Sequence, residues 1–158
     1  MVAAHALCHG SSDDNPASQP GARPDARNVG PRWSNGEVPR QLTPAAAADV
    51  AAALARHRAG TAERADLRLL VKHFLALLQV RAPGASVEVR VPPYAAVQVI
   101  PGVRHTRGTP PAVVELDADT WISLAAGDLA WSTAREGTRV RASGERTDLS
   151  AYLPLADD

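Results

Sequence analysis

Gly127, Gly137 and Gly144 divide the stretch ELDADTWISLAAGDLAWSTAREGTRVRASG, residues 115–144, into helix, helix and strand, and that punctuation narrows the folds open to the chain. Asp117 or Asp119 can cap the first helix, because a carboxylate accepts hydrogen bonds from the free N–H groups of a first turn. The helix would carry Trp121, Ile122, Leu124 and Ala125 inward and stop at Gly127, where left-handed backbone costs least. A second helix, from about Ala130 to Glu136, stops at Gly137. From Thr138 to Ser143 the chain alternates, with Val140 and Ala142 on one face and Arg139, Arg141 and Ser143 on the other, the pattern of a half-buried strand. Gly144 closes it. Nothing in the stretch is a catalytic signature.

Upstream, Thr43-Pro44 reads as a helix start, with threonine as cap and proline at the first helical position. The helix runs through PAAAADVAAALARHR to Gly60, and its apolar face is thin: Val50 and Leu54 among alanines. It has high propensity and little to bury, which places it on the surface of the domain. The next helix, about Ala62 to Arg81, is the strong one. Leu67, Leu70, Val71, Phe74, Leu77 and Leu78 fall at three- and four-residue spacing, and Leu69, Leu75 and Val80 widen the stripe. Strands are expected at Ser86 to Val91, Tyr94 to Ile100 and Ala112 to Leu116. Pro92-Pro93 interrupts the first two, since neither residue donates to a ladder. RHTRGTPP, Arg104 to Pro111, is a polar loop, and Asp148 to Leu155 reads as one helical turn packed on the sheet.

Residues 1 to about 40 are rich in proline, glycine and serine and nearly lack large apolar side chains, so little burial offsets backbone ordering and a disordered tail is expected. The ordered domain then spans 41–158. His5, Cys8 and His9 in the tail lack a fourth metal partner. The 158 residues carry a formal net charge of zero, which gives no electrostatic footprint for nucleic acid. One cysteine forms no internal disulfide and suits a reducing compartment. No apolar run approaches the roughly 18 residues of a membrane span, and the first residues lack the pattern of an export signal. A cytoplasmic location is expected.

The order of elements, with TWISLAAGDLAWSTAREGTRVRASGERTDLSAYLPL as its C-terminal part, resembles the sterol-carrier-protein-2 family. There a helix ending in glycine is followed by a second such helix, a strand and a further glycine, the places held here by Gly127, Gly137 and Gly144. From about Leu69 to Leu155, and in VEVRVPPYAAVQ and RHTRGTPPAVVE above all, the chain is similar to the family's actinobacterial branch. The resemblance implies an α/β, more narrowly α+β, fold with a curved, mainly antiparallel sheet of four to five strands and helices on one face. It implies an apolar cavity between the layers that takes a fatty acyl chain, an acyl-CoA or a sterol-like lipid. It implies no catalytic residue, no metal and no cofactor. Pro92-Pro93 departs from the pattern by standing where a tight hairpin turn belongs, which suggests a different join between the first two strands.

A site for such a ligand needs an apolar wall and a few polar groups at its mouth. Leu70, Phe74, Leu77, Val97, Val99, Val114, Trp121, Leu124 and Leu129 are the wall candidates, and each can equally be plain core. Arg104, His105 and Arg107 are candidates for an acidic headgroup, since the arginine fork suits carboxylate or phosphate. The competing reading pairs one of these arginines with Glu115. Two other functions stand against carriage of an apolar ligand. One is an accessory or protein-interaction module, docking a partner on the first two helices or on Trp33. The other is a cofactor-free enzyme using His105 and Glu115, but the chain has no G-x-S-x-G elbow, no H-E-x-x-H and no glycine-rich nucleotide loop. The expectation is therefore a non-enzyme. Oligomeric state is left open.

Overall fold

The computed structural model describes residues 41–102 and 112–156, all of which fall in one compact unit. The expected tail and the Arg104 to Pro111 loop lie outside them. The elements run α1 (Ala47–Arg58), α2 (Arg64–Arg81), β1 (Val87–Val91), β2 (Ala95–Val99), β3 (Ala112–Leu116), α3 (Ala118–Ala125), α4 (Trp131–Glu136) and β4 (Val140–Ser143), with a 3-10 turn at Ser150–Tyr152. The fold is α+β.

The four strands form one mixed sheet in the order β2-β1-β3-β4. β1 pairs antiparallel with β2, and β3 with β4, while β1 and β3 run parallel. Two of the three pairings are thus antiparallel, as expected. The register sets Val89 between Val97 and Val114, and Leu116 opposite Val140. Because side chains alternate along a strand, this collects Val87, Val89, Val91, Val97, Val99 and Val114 on one face, where they are buried. Arg90, Arg141 and Ser143 on the opposite face are exposed.

α2 packs on β2 and α3 and supplies the middle of the core: Leu70, Val71, Phe74, Leu75 and Leu78 are at most 1% exposed. Its widened stripe divides as packing requires, for Leu75 is core while Val80 is 75% exposed. In α3 the side chains of Trp121, Ile122, Leu124 and Ala125 all point inward and are buried. Asp117 caps that helix, accepting from the backbone N–H and the hydroxyl of Thr120, each at 2.8 Å. Gly127 ends it at φ +82°. After α4 the left-handed residue is not Gly137 but Thr138, at φ +55°.

Two expectations need correcting. α1 starts at Ala47 with Ala46 at its cap, not at Thr43-Pro44. The preceding segment is pinned to α2 instead: the Leu42 N–H donates to Gln79 Oε1 at 2.9 Å and the Ala45 N–H to His73 Nδ1 at 3.1 Å. Pro92-Pro93 does not prevent a tight hairpin. Val91 lies opposite Ala95, and the turn is closed by the Tyr94 N–H donating to the Val91 carbonyl at 2.9 Å, so neither proline is asked for a hydrogen. The C-terminal segment carries its short helical turn at Ser150–Tyr152 and is fastened to the ends of α2 and α3. The Leu155 N–H donates to Ala125 O at 2.8 Å, and the Arg81 guanidinium donates to the carbonyls of Tyr152 and Pro154.

Candidate functional site

Half of α1 is alanine, so it does not fill the space between itself and the longer side chains of α2. Only Ala53 is fully buried in it, and Val50 and Leu54 are half-buried. What remains is an apolar groove of about 310 Å³. Ala47, Val50, Ala51 and Leu54 line it from α1, and His73, Phe74 and Leu77 from α2. Ala45 borders it at the entry to α1, and Leu155 and Ala156 close the side formed by the C-terminal segment. The volume lies at the lower end of the roughly 300–1,000 Å³ typical of small-molecule sites.

α1 is also tied over this groove by polar contacts. Arg56 makes a two-pronged bond to Asp66 at the start of α2, at 2.6 and 2.9 Å. Arg58 does the same to Asp128, at 2.9 and 3.1 Å, and His57 Nε2 lies 3.1 Å from Asp119 Oδ1. At the other end stands the His73 contact with the Ala45 N–H. The His73 ring meets Phe74 edge-on, with centroids 5.2 Å apart, and burial pushes its pKa below the usual histidine value.

The Arg56–Asp66 clamp makes a prediction. Arg56, and behind it the Glu63 N–H, hold the Asp66 carboxyl down from its usual 3.8 to about 2. A depressed carboxylate adds stability above its unfolded pKa and loses it as pH falls through the folded value. Asp66→Asn should therefore be less stable than the native chain at pH 7, with the gap closing between about pH 4 and pH 2. Melting temperatures across that range test it, and a gap that stays constant to pH 2 counts against the clamp.

A second cleft, of about 360 Å³, lies where β3 ends and β4 begins, lined by Pro92, Glu115, Leu116, Asp117, Thr138, Arg139 and Arg141. Its charges balance, and Asp117 is occupied in capping α3. No group of three or more histidine, cysteine, aspartate or glutamate side chains among the described residues could hold a metal ion.

The structure brings most of the wall candidates together, though as a packed layer. Leu70, Phe74, Val97, Val99, Val114, Trp121 and Leu124 are at most 4% exposed and belong to one cluster between the helices and the sheet. Leu77 and Leu129 are half-buried against it. Of the nine, Phe74 and Leu77 also line the groove. Arg104, His105 and Arg107 lie outside the described residues, so the headgroup reading and its Glu115 alternative do too. Sequence reasoning missed Ala47, Val50, Ala51, Leu54, His73 and Leu155. The signal was the thin face of α1: small residues facing a helix whose apolar stripe is wider than a sheet contact needs.

An open mixed sheet with helices over its apolar face defines a small α+β domain, here with an apolar groove under the first helix. The family described as bacterial SCP ortholog matches residues 63–155, more than half of the chain, and the chain belongs to this sterol-carrier-protein-like family. The match begins after α1 and takes in every later element. No curated protein matches the chain. No described helix is long and apolar enough to cross a membrane.

Proposed function

We propose that this domain binds and carries an apolar ligand, a fatty acyl chain, acyl-CoA or sterol-like lipid, without transforming it. Membership of the sterol-carrier-protein-like family carries this reading. The apolar groove beside the core supports it, because a ligand of this kind needs a mostly greasy surface reachable from solvent. Phe74 and Leu77 are the wall residues that meet that opening, with the other seven candidates behind and beside them. Arg104, His105 and Arg107 are the proposed contacts for an acidic headgroup. The protein would work in the cytoplasm, with a lipid-like small molecule as its partner and no nucleic acid.

Delipidated protein should bind a fluorescent fatty-acid analogue saturably and shield it from an aqueous quencher. Native mass spectrometry of freshly purified protein, followed by organic extraction, should show a lipid mass. If acyl, acyl-CoA and sterol probes all fail to saturate, the carrier reading falls and an interaction module takes its place.

A further inference from the structure

α1 is fastened to the rest of the domain by different chemistry at its two ends. At the C-terminal end Arg56, His57 and Arg58 each meet a carboxylate, of Asp66, Asp119 and Asp128 in turn. The N-terminal end has no ionic contact among the described residues. It is held by the Leu42 N–H on Gln79 Oε1 and the Ala45 N–H on His73 Nδ1. Apolar packing is lopsided in the same sense. Ala53 is buried and Leu54 half-buried, whereas of residues 47–52 all but Val50 are exposed. We propose that α1 is a lid hinged at its C-terminal end, and that protonation of the His73 ring unlatches the other end. The device belongs to the chain itself and needs no bound ligand, so it stands apart from the carrier reading.

Nδ1 can accept the Ala45 N–H only in the neutral ring, whose one proton then sits on Nε2. Once both nitrogens carry protons, that contact sets donor against donor. The new charge would also face an apolar groove, since apart from His73 its lining is alanine, valine, leucine and phenylalanine. Asp49 on α1, Arg68 and Lys72 on α2 and Asp148 of the C-terminal segment are not part of that lining. Among the described residues no carboxylate is therefore placed there to offset the cation. Burial accordingly sets the His73 pKa below its usual 6.5.

With α1 swung away the ring is solvated and takes a proton more readily. The open lid therefore gains over the closed one as pH falls through the ordinary histidine range. The hinge outlasts this change. Arg56 holds the Asp66 carboxyl at about 2, far below that range, and a protonated His57 meets Asp119 as an ion pair.

Amide exchange in the full chain without ligand tests the latch, read by NMR as protection factors so that the intrinsic pH dependence cancels. Protection at Leu42 and Ala45 should fall about tenfold between about pH 7.5 and pH 5.5, the most that one proton with a usual pKa of 6.5 allows. The fall should share its midpoint with the His73 ring shifts. NOEs from the His57 ring to Asp119 should persist at the lower pH, while the NOE from the His73 ring to the Ala45 amide proton is lost. His73→Asn offers Ala45 an acceptor that does not titrate, and should make its protection independent of pH.

A His73 ring that titrates while Leu42 and Ala45 keep their protection would overturn the latch. So would a ring still neutral at about pH 5.5, or a pH dependence that survives in His73→Asn. Loss of the His57–Asp119 NOEs together with the Ala45 contact would overturn the hinge and mean that α1 leaves as a whole.

Discussion

Trp121→Ala should destabilise the fold by about 3–5 kcal/mol, read as a lower denaturation midpoint at unchanged slope. Trp121 is the largest fully buried side chain in the described residues, at 0% exposure. It hangs from α3 onto α2, where its indole N–H donates to the Val71 carbonyl at 3.4 Å. That bond is long, and Val71 O sits within a helix, so its loss adds little. The cost comes from volume: the other buried side chains of the same cluster, Leu70, Phe74 and Leu124 among them, are close-packed and cannot collapse into the space. Trp121→Phe should retain most of the contact and cost about 1–2 kcal/mol. Val80→Ala, at the position left 75% exposed, should stay within about 0.5 kcal/mol. A loss under about 1 kcal/mol for Trp121→Ala would mean that this layer is not close-packed, and would revive a cavity between helices and sheet.

What the sequence made legible was mostly what neighbours in sequence decide. β3 spans Ala112–Leu116 as expected, and α3 has its Asp117 cap and its end at Gly127, because a cap, an alternation and a left-handed stop are local signals. α1 began three residues late, and the segment before it is held instead by Gln79 and His73, some thirty positions away, which accept from the Leu42 and Ala45 N–H groups. The parallel β1–β3 pair was equally hidden. No side chain in VEVRV says that its second neighbour arrives by a return from beyond β2.

The site was harder to read than the fold, for a related reason. Selecting apolar residues finds core and ligand wall alike, and Val97, Val114 and Trp121 went into the core. A groove is defined by atoms that are absent. Ala47 and Ala51 make room by having no side chain beyond Cβ, and nothing in a list of bulky candidates records that. His73 was passed over because a lone histidine on an apolar helix carries no motif. Only its tertiary contact with Ala45 fixes which nitrogen is left to donate.

Gly84→Ala should cost more than about 4 kcal/mol and prevent β1 and β2 from seating against α2. A Cβ at this position would stand 2.1 Å from the carbonyl oxygen of Ile100, 2.2 Å from its carbon and 2.5 Å from Pro101 N. Those are backbone atoms, and they are held. The Ile100 N–H donates to Ala82 O at 2.8 Å, while Ile100 O accepts from the Ser86 N–H at 3.2 Å and from the Ser86 hydroxyl at 2.8 Å. Ile100 itself is buried at φ +66°, a conformation that a β-branched residue adopts only when its surroundings enforce it. Moving it to admit a methyl group would break the three hydrogen bonds that tie Ile100, just after β2, to Ala82 at the end of α2 and to Ser86 just before β1. Gly60→Ala provides the control, since Gly60 sits at φ +70° with nothing within 4 Å of a built Cβ. It should lose only the conformational part, about 1–2 kcal/mol. Equal losses in the two variants, measured by urea unfolding, would show that residues 82–86 and 99–101 are free to part and that this corner is not what holds the sheet to α2.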